Sequence, residues 1–93
     1  MKAIWKDQVL AESDKTIEVE GNHYFPPRGV DQAYLLKSDT HTMCPWKGEA
    51  SYYSLKVGGE VLKDAAWYYP SASEKAKNIE NYIAFGKKVK VME

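Results

Sequence analysis

The segment Thr42-Met43-Cys44-Pro45-Trp46-Lys47-Gly48-Glu49-Ala50 gathers the chain's only cysteine, a proline, a tryptophan, a lysine and a glycine. A cation beside a thiol lowers its pKa and frees the thiolate, the nucleophilic form. Cys44, three residues from Lys47, is therefore the candidate catalytic residue, with His41 three positions upstream as a side chain the turn would have to bring close. Cys44 also reads as a small buried hydrophobe, because a lone cysteine without a histidine partner is usually a packing residue. Lys47 offers a compact positive charge for a phosphate or carboxylate. Its alternative is a solvent-facing side chain whose stem covers Trp46.

Hydroxyls of Ser38, Thr40 and Thr42 precede the turn and can reach the same pocket, although hydroxyls in loops also cap or bridge backbone groups. Trp67, Tyr52, Tyr69 and Tyr24 supply an aromatic wall for a planar ligand, or else the core of a small chain. The candidate ligand-binding set is thus Lys47, Thr42, Ser38, Trp67, Tyr52 and Tyr24. His23, His41 and Cys44 carry metal-ligating atoms, but neither Cys-x-x-Cys nor His-x-x-x-His spacing occurs, so no metal site and no cofactor is expected. Asp64 reads as a turn or bulge residue before it reads as a general base.

These residues need a frame, and composition says what kind. A chain of 93 residues makes one domain and buries only roughly 60–65% of its unfolded surface. Its three Trp and seven Tyr compensate, since each buried ring removes about 150–250 Å² from water. Thirteen basic residues balance thirteen acidic ones, without the basic excess that marks a nucleic-acid partner. A single cysteine forms no intramolecular disulfide, and the reducing cytoplasm is the expected setting. The stretch from Met1 to Asp7 is charged and lacks the apolar run of a secretory signal. No run approaches the roughly 20 apolar residues of a membrane span, so no membrane partner is expected.

The pattern along the chain predicts mainly β structure. Lys2–Trp5 and Gln8–Ala11 flank a polar Lys6-Asp7 turn, and Thr16–Glu20 alternates with Ile17 and Val19 inward. His23-Tyr24-Phe25 continues extended and stops at Pro26-Pro27. A short helix over 31–37 would start at an Asp31 N-cap, followed by a polar loop from Ser38 to His41. Ala50–Val57, a Gly58-Gly59 turn and Glu60–Tyr69 spell a hairpin, with Leu55 opposite Leu62 and, if regular, Ala50 opposite Trp67. A bulge near Lys63-Asp64 would alter that parity. Ser71 and Glu74 read as a capping box opening a helix over 71–85, with Ala76, Ile79 and Ile83 on its apolar stripe and Gly86 as its stop. Val89–Met92 alternates as a last strand. The expected fold is a mainly β (α+β) domain with a small antiparallel sheet, barrel-like or β-tent-like, one longer helix and one short one.

Tyr24-Phe25-Pro26, Ser38, Thr42-x-Cys44-Pro45-Trp46-Lys47-Gly48-x-Ala50-x-Tyr52, Ala65-Ala66-Trp67-x-Tyr69-Pro70 and Ile79-x-x-Tyr82-x-x-Phe85 together resemble the family described as domain of unknown function 427. The resemblance runs from about residue 2 to residue 91. It implies a small, mostly β protein. The family also carries a nucleotidyltransferase label. This sequence has neither a Gly-Ser followed by paired aspartates, to hold metal and triphosphate, nor a Gly-rich phosphate loop.

The functional expectation is a pocket beside the Cys44–Lys47 turn for a small polar or anionic ligand, with Cys44, Lys47 and Trp67 lining one cavity. The alternative is a non-enzymatic interaction or structural module, whose aromatic residues are core and whose Val89–Met92 edge meets another protein.

Overall fold

The computed structural model describes all 93 residues. Its strands form three antiparallel sheets, and none closes into a barrel. β1 (Lys2–Trp5) and β2 (Gln8–Glu12) make a hairpin whose turn residues, Lys6 and Asp7, both take positive φ (54° and 61°). That mirror-image turn matches the twist of the strands it joins. β3 (Ile17–Val19) and β4 (Asn22–Tyr24) form a second hairpin around Glu20 and Gly21. β5 (Leu35–Cys44), β6 (Gly48–Val57), β7 (Glu60–Tyr68) and β8 (Ile83–Phe85) lie in that order in the central sheet. β9 (Lys90–Met92) pairs with β1 and forms an edge of the first sheet.

The two faces of the central sheet carry separate cores. Leu55, Ala66, Ile83 and Phe85 pack with Ala3, Leu10 and Ala11 of the first sheet. On the opposite face Ala50, Tyr69 and Ala84 pack with Tyr24 of the second hairpin and with Ala72, Ala76 and Ile79. Alternation along each strand divides the chain this way: Ala84 faces one core and its neighbours Ile83 and Phe85 the other.

The β6–β7 hairpin keeps the predicted pairing of Leu55 with Leu62. The pairing of Ala50 with Trp67, expected only of a regular hairpin, gives way to the bulge expected near Lys63-Asp64, and Trp67 lies opposite Tyr52. The register shifts between Tyr53 and Leu55, where β7 bulges through Lys63, Asp64 and Ala65. Asp64 takes φ +52°, and its backbone N–H is redirected to the Ser54 hydroxyl at 3.0 Å.

Both predicted helices are corrected. The one over 31–37 is a single 3₁₀ turn, Gln32–Tyr34, capped as expected by the Asp31 carboxylate on the Ala33 N–H at 3.0 Å. Leu35, Leu36 and Lys37 then pair with Leu55, Ser54 and Tyr53, because ladder bonds and burial of Leu35 against the core prevail over local helix preference. The expected loop from Ser38 to His41 is a bulged part of β5. The helix over 71–85 shrinks to the 3₁₀ stretch Glu74–Ile79. Its cap is Ser73, not Ser71, and the capping box is absent; Glu80 instead accepts from the Ala72 N–H at 3.1 Å. Asn81 at φ +66° turns the chain out, and Ile83 enters a strand facing the other core. Ala76 and Ile79, three apart, suit the tighter helix.

Candidate functional site

The tip between β5 and β6 is the three-residue turn Pro45-Trp46-Lys47, closed by Gly48 at φ +111°. That conformation favours glycine, and a Cβ on Gly48 would also press to 3.2 Å from the Ser71 carbonyl. The tip is fastened to the segment behind it: the Ser73 N–H donates to the Lys47 carbonyl at 3.0 Å, and the Ser73 hydroxyl donates to the Trp46 carbonyl. These bonds orient Lys47 inward.

Lys47 is buried, at 6% of its full exposure. Its ammonium donates to the Glu20 carboxylate and lies 5.1 Å from the Trp46 ring centre and 5.5 Å from that of Tyr69. The Trp46 Nε1–H also donates to Glu20, at 3.4 Å. Burial opposes the ammonium's charge, but the Glu20 hydrogen bond, with Tyr24, Tyr69 and Cys44 adding to it, holds the Lys47 pKa above the usual lysine value. The same bond holds Glu20 below the usual carboxylate range. Burial, and then Tyr24, push the Tyr69 phenol up to about 12, while Lys47 opposes the rise. Glu20 at the tip of one hairpin thus straps down the tip of another, and the positive charge of Lys47 is balanced within the chain.

Thr42, Cys44, Tyr52 and Trp67 share this face of the central sheet, as alternation and the pairings Thr42–Ala50 and Cys44–Gly48 require. The Thr42 hydroxyl and the Tyr52 phenol are 3.0 Å apart. Cys44 is half-buried against the core of Tyr24, Ala50 and Tyr69. His41 is not its neighbour: three positions away on one strand, it points to the other face, where its Nδ1 lies 3.2 Å from the Ser51 hydroxyl. Ser38 and Thr40 serve the bulges instead. Their hydroxyls donate to the two oxygens of Asp64 at 2.5 and 2.7 Å and hold its carboxyl below the usual range. No three His, Cys, Asp or Glu side chains are grouped to hold a metal ion.

None of the molecule's four concavities is lined by Cys44, Lys47, Thr42, Ser38, Tyr52 or Tyr24. Trp67 does line one. It is a cleft of about 440 Å³ between the β3–β4 hairpin and the end of β8, walled by Trp67, Phe85, Val89 and Val91, with Asn22, His23 and Lys87 as its polar side chains. Trp67 is held in place by its Nε1–H, which donates to the Tyr24 phenol at 3.1 Å. The His23 Nδ1 lies 3.3 Å from the Thr16 hydroxyl. His23 and Lys87 were not read as neighbours of Trp67 in the sequence; only the approach of β4 to β8 brings them there.

A family model described as a domain of unknown function, DUF427, matches residues 1–93. The chain belongs to the DUF427 family. The nucleotidyltransferase label is only a legacy of the DUF427 family's naming. None of the curated proteins matches the chain. In this DUF427 member no helix is long and apolar enough to cross a membrane.

Proposed function

We propose that this DUF427 domain binds a small polar or anionic ligand, and that the ligand occupies the cleft beside Trp67. The observation that carries the reading is the make-up of that cleft. Its apolar and aromatic walls meet one lysine and one histidine, and no carboxylate lines it. Pockets for small ligands combine apolar walls with a few placed polar groups in this way, and about 440 Å³ falls in their usual range of roughly 300–1,000 Å³. Lys87 supplies the fixed charge that the sequence assigned to Lys47, whose ammonium Glu20 already engages. Tyr24 and Tyr52 support the indole, one by hydrogen bond and one as its cross-strand partner. Lys47, Thr42 and Cys44 build the layer behind it, and no covalent step is assigned to Cys44.

The test is a thermal-shift screen of anionic and polar metabolites on the wild type, Lys87→Glu and Lys47→Ala. Ligand at about 100 times its Kd adds about 2.7 kcal/mol, a Tm rise on the order of 10 °C for a domain this size. The expected result is a rise in the wild type, none in Lys87→Glu, and a rise from a lower starting Tm in Lys47→Ala. If nothing raises the Tm at millimolar concentration, or Lys87→Glu binds as well as the wild type, the proposal is wrong.

A further inference from the structure

β8 stops at Phe85, opposite Ala66, while β7 extends back to Glu60 with no partner strand on that side. The chain leaves β8 through a tight turn, Gly86-Lys87-Lys88-Val89, closed by the Val89 N–H donating to the Gly86 carbonyl at 3.1 Å. The turn is fixed at both ends. The Gly86 N–H donates to the Ala65 carbonyl at 2.7 Å, and Val89 is buried in the core. The lysines at its two corners are exposed, and neither of their backbone N–H groups donates within the chain.

Between this turn and β7 lies another of the concavities, of about 200 Å³, walled by Leu62 and Ala65 and carrying Lys63, Asp64, Lys87 and Lys88. Its charge is not balanced from within. Asp64 is its one acidic group, and the two carboxylate oxygens already accept from Ser38 and Thr40 on β5. None of the chain's three ion pairs includes Lys63, Lys87 or Lys88. Three like charges gathered at one hollow favour a multivalent anion over a monovalent one, since each adds its own attraction. Lysine ammoniums bind phosphate as compact point charges. Successive turn N–H groups without partners are a backbone arrangement that holds anions. The volume falls below the roughly 300–1,000 Å³ of pockets for larger organic ligands and suits a small oxyanion.

We propose that this concavity binds a phosphoryl dianion, held by the ammonium groups of Lys63, Lys87 and Lys88 and by the free N–H groups of the turn. The ligand is inorganic phosphate or the phosphoryl end of a small monoester, and the same contacts serve both. The site is distinct from the cleft beside Trp67: Lys87 borders both, but Lys63 and Lys88 do not line that cleft. The inference goes beyond the binding reading given above and does not depend on it.

The whole protein is titrated at about pH 8, where a phosphoryl group is a dianion, with inorganic phosphate and with glycerol 3-phosphate. Acetate at matched ionic strength is the control. Binding is followed by the backbone amide resonances of Lys87 and Lys88 and by the indole N–H resonance of Trp67. The expected result is a saturable shift of the two turn amides with phosphate or its monoester, none with acetate, and an unmoved indole; the tighter of the two phosphates identifies the source. Lys63→Ala and Lys88→Ala, both at exposed positions, should each weaken binding about two- to fivefold without moving the free protein's Tm. Lys75→Ala, outside the concavity, should leave binding unchanged. If neither phosphate saturates the shift at millimolar concentration, if acetate matches them, or if the Lys63 and Lys88 variants bind as tightly as the wild type, the inference is overturned. A shift of the Trp67 indole that survives both substitutions places the phosphate in the cleft instead, which overturns this inference and supports the binding reading.

Discussion

The indole Nε1–H of Trp67 donates to the phenol oxygen of Tyr24 at 3.1 Å, joining β7 to β4 across 43 positions of sequence. Tyr24 is buried and Trp67 half-buried, so removing the acceptor leaves the indole N–H without its partner. Tyr24→Phe should therefore cost about 1–3 kcal/mol in a denaturant titration. It should also alter the Trp67 emission and loosen the wall of the cleft. Unchanged stability and emission would show that the bond does not hold the indole.

The Lys47–Glu20 pair links the tips of two hairpins, and its pH dependence has a definite sign. Glu20 titrates lower in the fold than in the unfolded chain because it accepts from Lys47. Its contribution is present above the ordinary glutamate pKa and disappears as pH falls through its lower folded value. Denaturation midpoints of the wild type should therefore drop on acidification below about pH 4.3, and Glu20→Gln should flatten that limb while being less stable at pH 7. Asp64 and Glu80 titrate low as well, so the difference between wild type and variant isolates Glu20. Parallel acid limbs would count against the strap.

Asp64 does two things at the β7 bulge: it takes a left-handed φ of +52°, and it accepts from Ser38 and Thr40 on β5. Asp64→Ala loses both, Asp64→Gly keeps the conformation, and Asp64→Asn tolerates it and retains one acceptor. The expected order of Tm is wild type, then Asn, then Gly, then Ala. Faster amide exchange around Ser38 and Thr40 should accompany the loss. An Ala variant as stable as Asn would mean that neither the conformation nor the acceptors matter.

Gly48 closes the Pro45-Trp46-Lys47 turn at φ +111°, with the Ser71 carbonyl behind it. Gly48→Ala should cost about 1–3 kcal/mol from backbone strain. It should also expose Cys44 to faster alkylation as the tip lifts from Ser73. A stable variant with unchanged thiol protection would show that the tip tolerates another conformation.

Local chemistry made much of the fold legible. The strands over 2–5 and 8–11, the Gly58-Gly59 turn, the pairing of Leu55 with Leu62 and the Asp31 cap follow from short apolar runs, turn residues and a carboxylate at a helix start. The helices did not follow. Leu35-Leu36-Lys37 and Ile83-Ala84-Phe85 have local patterns that fit a helix, and only ladder partners far along the chain, Ser54 and Trp67 among them, make them strands.

The site divides in the same way. From its residues alone the sequence marked out the Cys44–Lys47 turn as a cluster of unlike side chains, and Trp67, Tyr24 and Tyr52 as an aromatic group. Sequence spacing carries no information about which hairpin tip meets which. Tertiary structure decided that Glu20 takes the ammonium of Lys47, that His41 and Cys44 face opposite sides of the sheet, and that β4 approaches β8 and brings His23 and Lys87 to the cleft beside Trp67. Each of these depends on long-range strand register, and a shift of one residue would have sent every one of those side chains to the other face.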